Sequence, residues 1–160
     1  VTNTDIGAAL DALAAFPNGL QRRLQSLSDA ELRFKPAPKE WSAVEVVGHL
    51  CDVEALWAGR IRQMLASEQP AFAPFDPDAL VAQQRYQEKQ VAALLSTLAE
   101  RRAEHLEFLR GLRAPQLERG GLHPTRGPVT VGGAIVILSG HDQLHLNQIE
   151  ANLKAFAERR

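Results

Sequence analysis

The segment WSAVEVVGHLCDVE, residues 41–54, decides the fold. Ser42 stands three residues before Glu45, the reciprocal capping pattern of a helix N-terminus, and Trp41 is placed to staple the entry. Val46, His49, Leu50, Val53, Leu56 and Trp57 then recur at three- and four-residue spacing. That spacing predicts a helix ending near Ser67 with this stripe turned inward. His49 lies on the stripe, and an imidazole is costly to bury without a partner for its ring nitrogens.

Outward from this segment the chain reads as three more long helices. A first runs from about Asp5 to Leu27, with Thr4 as its cap and Ile6, Leu10, Leu13, Leu20, Leu24 and Leu27 as apolar markers. Pro17-Asn18-Gly19 interrupts it, so a kink or break is expected there. SDAEL (28–32) is a short capped turn leading into an extended stretch. Residues 68–78, EQPAFAPFDPD, cannot be helical throughout because Pro70, Pro74 and Pro77 punctuate them. About ten extended residues reach roughly 33 Å, enough to carry the chain back along a bundle. A third helix is expected from about Pro77 to Leu112, then a Gly/Pro loop, APQLERGGLHPTRGP (114–128). Thr130 caps a final helix from about Val131 to Ala157. No strand, repeat or low-complexity tract is visible. The expectation is one all-α domain over residues 1–160, an antiparallel four-helix bundle.

Bulk properties narrow the function. A chain of 160 residues can build a sizeable core without a disulfide or structural metal. A net charge of -1, with Lys and Arg scattered among Asp and Glu, gives no electrostatic footprint for nucleic acid or anionic membrane. Apolar runs such as Ala134–Leu138 are too short to span a bilayer. The N-terminal VTNTDIGAALDALAAF has no basic region followed by an apolar run, so no secretory signal is expected. The lone Cys51 fits a reducing cytoplasm.

The second informative segment is GHDQLHLNQIE, residues 140–150. His141 and His145 are four residues apart, about 40° around a helix and roughly 6 Å along it, so both rings can reach one ion. The spacing is that of a zinc-protease HExxH pair, but Asp142 stands where that motif needs Glu. His49 supplies a third ring from a facing helix, and bundle cores are where such sites assemble. The competing reading is three neutral histidines, each bonded to its own carbonyl, carboxylate or water. One buried histidine would favour that reading; three on inward faces favour a shared ion. Cys51, about 200° around the helix from His49, points away and serves as a packing residue. Asp52 is within about 60° of His49 and is placed either to support a ligand or, more simply, on the solvated face. Gln148, seven residues past His141, is placed to orient a ligand, touch a substrate or bridge helices. His105, at a stripe edge between Glu104 and Glu107, reads as a surface residue. His123, before Pro124, reads as a loop residue that overhangs the site at most.

On these residues the chain resembles the DinB-like superfamily, near its damage-inducible branch and its bacillithiol- and mycothiol-transferase members. The matching blocks are LSDAELRFKPAPKEWSAVEVVGHLCDVE (27–54) and HPTRGPVTVGGAIVILSGHDQLHLNQI (123–149). Together with the helical spacing between them they cover nearly the whole chain. The resemblance implies an up-down-down-up bundle with a long crossover between the second and third helices. It also implies a divalent metal (zinc, nickel, iron or manganese) on His49, His141 and His145, and homodimers. Its characterised members include thiol-dependent transferases and isomerases. Where the thiol-transferase branch often has a basic residue and glycine after the second histidine of its pair, this chain has Leu146 and Asn147, which lowers the expectation of transferase activity.

The function expected is therefore a metal-dependent, cytoplasmic enzyme acting on a small molecule by hydrolysis or by transfer to a low-molecular-weight thiol. Three neutral imidazoles leave the ion its charge and an open position. The alternative is a stress-associated protein that binds metal or a small ligand without catalysis. No catalytic residue is identified; Asp52, Asp142 and His123 are general-base candidates of decreasing merit, since Asp142 sits about 100° from His141.

Overall fold

The computed structural model of the chain describes residues 1–159. Four long helices form the bundle: α1 (Asn3–Leu24), α3 (Ala43–Ala66), α5 (Val91–Arg110) and α7 (Val131–Glu158), with α2 (Asp29–Arg33), α4 (Pro77–Gln84) and α6 (Ala114–Leu117) as short connectors. α1 and α3 each pack against both α5 and α7, so the two N-terminal long helices occupy opposite corners. Ser42 and Glu45 form the expected reciprocal cap of α3, and Thr130 caps α7. At the start of α1 the cap is Thr2, paired with Asp5, rather than Thr4.

Three expectations are corrected. α1 does not break at Pro17; it runs unbroken to Leu24. Proline cannot donate to the carbonyl four residues back, and that carbonyl, on Leu13, accepts instead from Arg102 Nη1 of α5 at 2.9 Å. A donor from the neighbouring helix replaces the missing one.

The third helix does not begin at Pro77 and continue to Leu112. Arg85 adopts a left-handed conformation (φ 53°, ψ 46°) after α4, a 3₁₀ turn follows at Tyr86–Glu88, and α5 begins at Val91. The inward residues here are Val81, Tyr86 and Val91, five apart, a spacing no helical face can present. Tyr86 covers Gly48 of α3 so closely that any Cβ there would overlap its ring.

The loop before α7 contains a hairpin, β1 (Gly120–His123) paired antiparallel with β2 (Gly127–Thr130), where no strand was expected. Gly127 takes φ 75° to close its three-residue turn. These strands are four residues each and contain three glycines and a proline, so they carry almost no periodicity to read. The extended crossover is pinned to the hairpin: Leu122 N–H donates to Pro70 O (2.8 Å) and Phe72 N–H to Leu122 O (2.9 Å).

The apolar interior divides in two. One cluster gathers Leu20, Val46, Leu50, Leu98 and Ile149, and the other Leu13, Trp57, Ile61, Leu106 and Leu138. Between them every long helix carries a polar or irregular feature: Pro17, Glu54, Arg102 with His105, and Asp142 with His145. No helix among the described residues is long and apolar enough to cross a membrane.

Candidate metal centre

His49 reaches the middle of the bundle from α3, and His141 and His145 from successive turns of α7. Their Nε2 atoms converge: His141 Nε2 lies 3.1 Å from that of His49 and 3.0 Å from that of His145. The three donor atoms all lie within 4.8 Å of one another. Ligands about 2.0–2.1 Å from a common ion are separated by about 2.9–3.4 Å, so the set fits a divalent metal. Gln148 Oε1 accepts from His145 Nδ1 at 2.7 Å, which puts that ring's proton on Nδ1 and its lone pair on Nε2. Nδ1 of His49 and of His141 is buried without a partner.

Burial governs the electrostatics. It pushes His49 and His141 down to about 3, with the neighbouring histidines adding repulsion, and it lowers His145 as well. The rings are therefore neutral at neutral pH and their lone pairs are free to ligate.

The centre opens into a cleft of about 460 Å³. Val53 and Trp57 of α3, Ile137 of α7 and Trp41, just before the cap of α3, give it apolar walls. The crossover contributes Pro74 and Phe75, and the hairpin turn contributes His123 and Arg126. Trp41 lies against His49 with ring centroids 4.7 Å apart and stacks at 6.2 Å on His145. No carboxylate lines the cleft among the described residues.

The remaining candidates are placed as follows. Cys51 points away, as its helical position requires; its thiol donates to Leu94 O at 3.2 Å and burial pushes it up to about 12. Asp52 is neither a ligand support nor a solvated residue: half-buried, it accepts from Tyr86 Oη at 2.6 Å. Asp142 leaves the metal face and pairs with Arg102 through both oxygens, at 2.8 and 3.0 Å. Of the three general-base candidates only His123, the weakest on sequence grounds, lies in the cleft; it stacks on Trp57 with centroids 5.9 Å apart.

His105 is a correction. It is 4% exposed, and its Nδ1 lies 2.7 Å from Glu54 Oε1. The flanking Glu104 and Glu107 do face solvent, but His105 itself is turned inward. It belongs to a buried network in which Arg102 Nε also donates to Glu54 Oε2 at 2.8 Å. Burial alone would raise Glu54, yet His105 and Arg102 hold it below the usual carboxylate range. Arg60 and Arg102 went unread, although both occupy apolar stripes: Arg60 follows Trp57 by three residues, and Arg102 stands midway between Leu98 and Leu106.

Sequence and fold comparisons agree with this architecture. The chain belongs to the DinB superfamily, whose family model matches residues 12–149. YfiT of Bacillus subtilis, provisionally named a metal-dependent hydrolase, is 26% identical over 141 residues, covering 88% of this chain and 79% of that protein. A protein of Oceanobacillus iheyensis with the same provisional name is 23% identical over 154 residues, covering 96% and 89%. The solved structure of YfiT, described as a four-helix bundle of unusual topology, matches with a TM-score of 0.90 at 23% identity, over 98% of this chain and 90% of that one. A mycothiol-dependent maleylpyruvate isomerase shares the fold at a TM-score of 0.72 and 12% identity, over 90% of this chain and 60% of that one.

Proposed function

We propose that this protein is a divalent-metal-dependent enzyme that hydrolyses a small molecule, with the ion held by Nε2 of His49, His141 and His145. The observation that carries this reading is the convergence of three imidazole nitrogens at an apolar cleft with no carboxylate or thiolate to complete the set. Structural zinc is usually enclosed by four protein ligands, whereas a catalytic site keeps a position open. Bound there, a divalent ion supplies Lewis acidity and makes an oxygen or sulfur nucleophile available near neutral pH. The chain's own residues hold the rest in place. Gln148 fixes the tautomer of His145, and the aromatic walls give the site an apolar surround, which strengthens charge interactions against it.

Hydrolysis is favoured by the names of the two curated relatives. Transfer to a small thiol is the second reading, favoured by the mycothiol-dependent isomerase among the fold neighbours and by a cleft large enough for two small reactants.

Metal analysis of purified protein tests the site. Wild type is expected to carry stoichiometric metal, His49→Ala, His141→Ala and His145→Ala each to lose most of it, and His105→Ala to keep it. Full metal in all three variants of the triad refutes the site. Turnover of an ester and amide panel, and separately of thiol plus electrophile, then assigns the reaction. Stoichiometric metal with no turnover across both panels leaves only metal or ligand binding.

A further inference from the structure

We propose that Arg60, Arg126 and the Nε2–H of His123 form an anion subsite in the cleft, so that the molecule taken at the histidine centre carries a carboxylate on an apolar body. The inference deepens the metalloenzyme reading by naming its substrate class, and it rests on that reading for the chemistry.

Arg60 is the carrying observation. It is 5% exposed yet forms no ion pair among the described residues. Arginines are almost never buried to that degree unless paired. Arg102, equally buried in the same fold, has two carboxylates. Arg60 has one hydrogen bond, from Nη2 to Ala73 O at 3.1 Å, and packs its guanidinium over the rings of Trp57 and Phe72 at 5.0 and 5.2 Å. It lines the cleft with the rest of its N–H fork uncommitted.

Two further donors share the wall. Arg126, on the hairpin turn, also lines the cleft and has no carboxylate partner among the described residues. His123 Nδ1 lies 3.2 Å from the backbone N–H groups of both Thr125 and Arg126, so it is the acceptor and the ring proton sits on Nε2. Burial lowers His123, and the nearby charges of Arg60 and Arg126 lower it further. With no acid in the lining, the cleft presents positive potential and unspent donors beside Trp41, Trp57 and Phe75. A planar guanidinium fork matches a carboxylate edge to edge.

Both tryptophans of the chain line the cleft, so their fluorescence reports its occupancy. Phenylacetate, 3-phenylpropionate and 4-phenylbutyrate are titrated against their primary amides, in chelator-stripped and in zinc-loaded protein. In stripped protein at least one acid is expected to bind about tenfold or more tightly than its amide, because charge-assisted hydrogen bonds are roughly twice as strong as neutral ones. Arg60→Met and Arg126→Ala are each expected to remove most of that preference; Arg126 is exposed, so its variant serves should Arg60→Met fail to fold. Equal affinity of acid and amide in stripped protein, or no quenching by any member, overturns the subsite. A preference seen only with zinc also overturns it, placing the carboxylate on the ion and leaving the metal reading intact. A preference in protein that never takes up metal keeps the subsite and sinks the metal reading.

Discussion

A ligating imidazole is only as well positioned as its other nitrogen. His145 alone of the three has that nitrogen bonded, to Gln148. Gln148→Ala is therefore expected to weaken metal binding by about 10–100-fold, the usual effect of losing such a partner. Gln148→Glu, which keeps an acceptor at the same place, is expected to retain most of the affinity. Competition with a chromophoric chelator measures both, and an unchanged affinity in Gln148→Ala means that helix packing alone sets the ring. The triad was legible because helical spacing alone puts His49, His141 and His145 on inward stripes. Partners from distant segments were not: Glu54 lies 51 residues from His105, and nothing local distinguishes His105 from a surface residue. The same holds for Arg60, whose role depends on a hairpin and a crossover that fold against it from elsewhere.

Between elements, Arg102 is the principal tie. It takes the Leu13 carbonyl of α1, Glu54 of α3 and Asp142 of α7, and itself belongs to α5, so one guanidinium joins all four long helices. Arg102→Leu leaves Asp142 and a proline-freed carbonyl buried without a donor, and leaves Glu54 with His105 alone. Breaking such a pair from one side costs about 3–5 kcal/mol, which urea unfolding of the variant against wild type measures. A loss within about 0.5 kcal/mol, typical of surface changes, would mean that water replaces the guanidinium. Tyr86 is the second tie. Gly48→Ala forces its ring off α3 and is expected to destabilise by about 1–3 kcal/mol, the cost of overpacking. Cap residues announced α3 and α7 in the sequence because Ser42, Glu45 and Thr130 act within one turn. The break before α5 was visible only as an absence: the helical markers begin at Val91, and residues 84–90 hold no apolar side chain but Tyr86. The break expected at Pro17 is absent for the opposite reason, since the donor that takes up the freed Leu13 carbonyl belongs to Arg102, 89 residues beyond it.

For the molecule as a whole, a polar layer between two apolar clusters makes stability depend on pH with a definite sign. Burial holds His49 and His141 at about 3 in the folded chain and lowers His145, against an ordinary value of 6.5. As the pH falls below 6.5 the unfolded chain binds protons that these buried rings refuse, so their contribution is full above that value and is lost toward 3. Glu54, held below its ordinary 4.5, adds to the loss at the acid end. Asp142 works the other way. Burial, only partly offset by Arg102, raises it to about 6 from 3.8, so between those values the folded chain keeps a proton that the unfolded chain lacks. Asp52, also raised by burial, acts in the same direction as Asp142, but the four depressed histidines, His123 included, outweigh the two aspartates, and the metal-free protein is expected to lose stability steadily from about pH 7 to about pH 5. Loaded protein adds a second dependence, because each ligand must be deprotonated to hold the ion. The urea midpoints of loaded and chelator-stripped protein should therefore stand well apart near neutrality and converge as the pH falls. A constant separation across that range would show that the ion is held by groups other than histidine, and a flat profile for stripped protein would show that the rings are solvated.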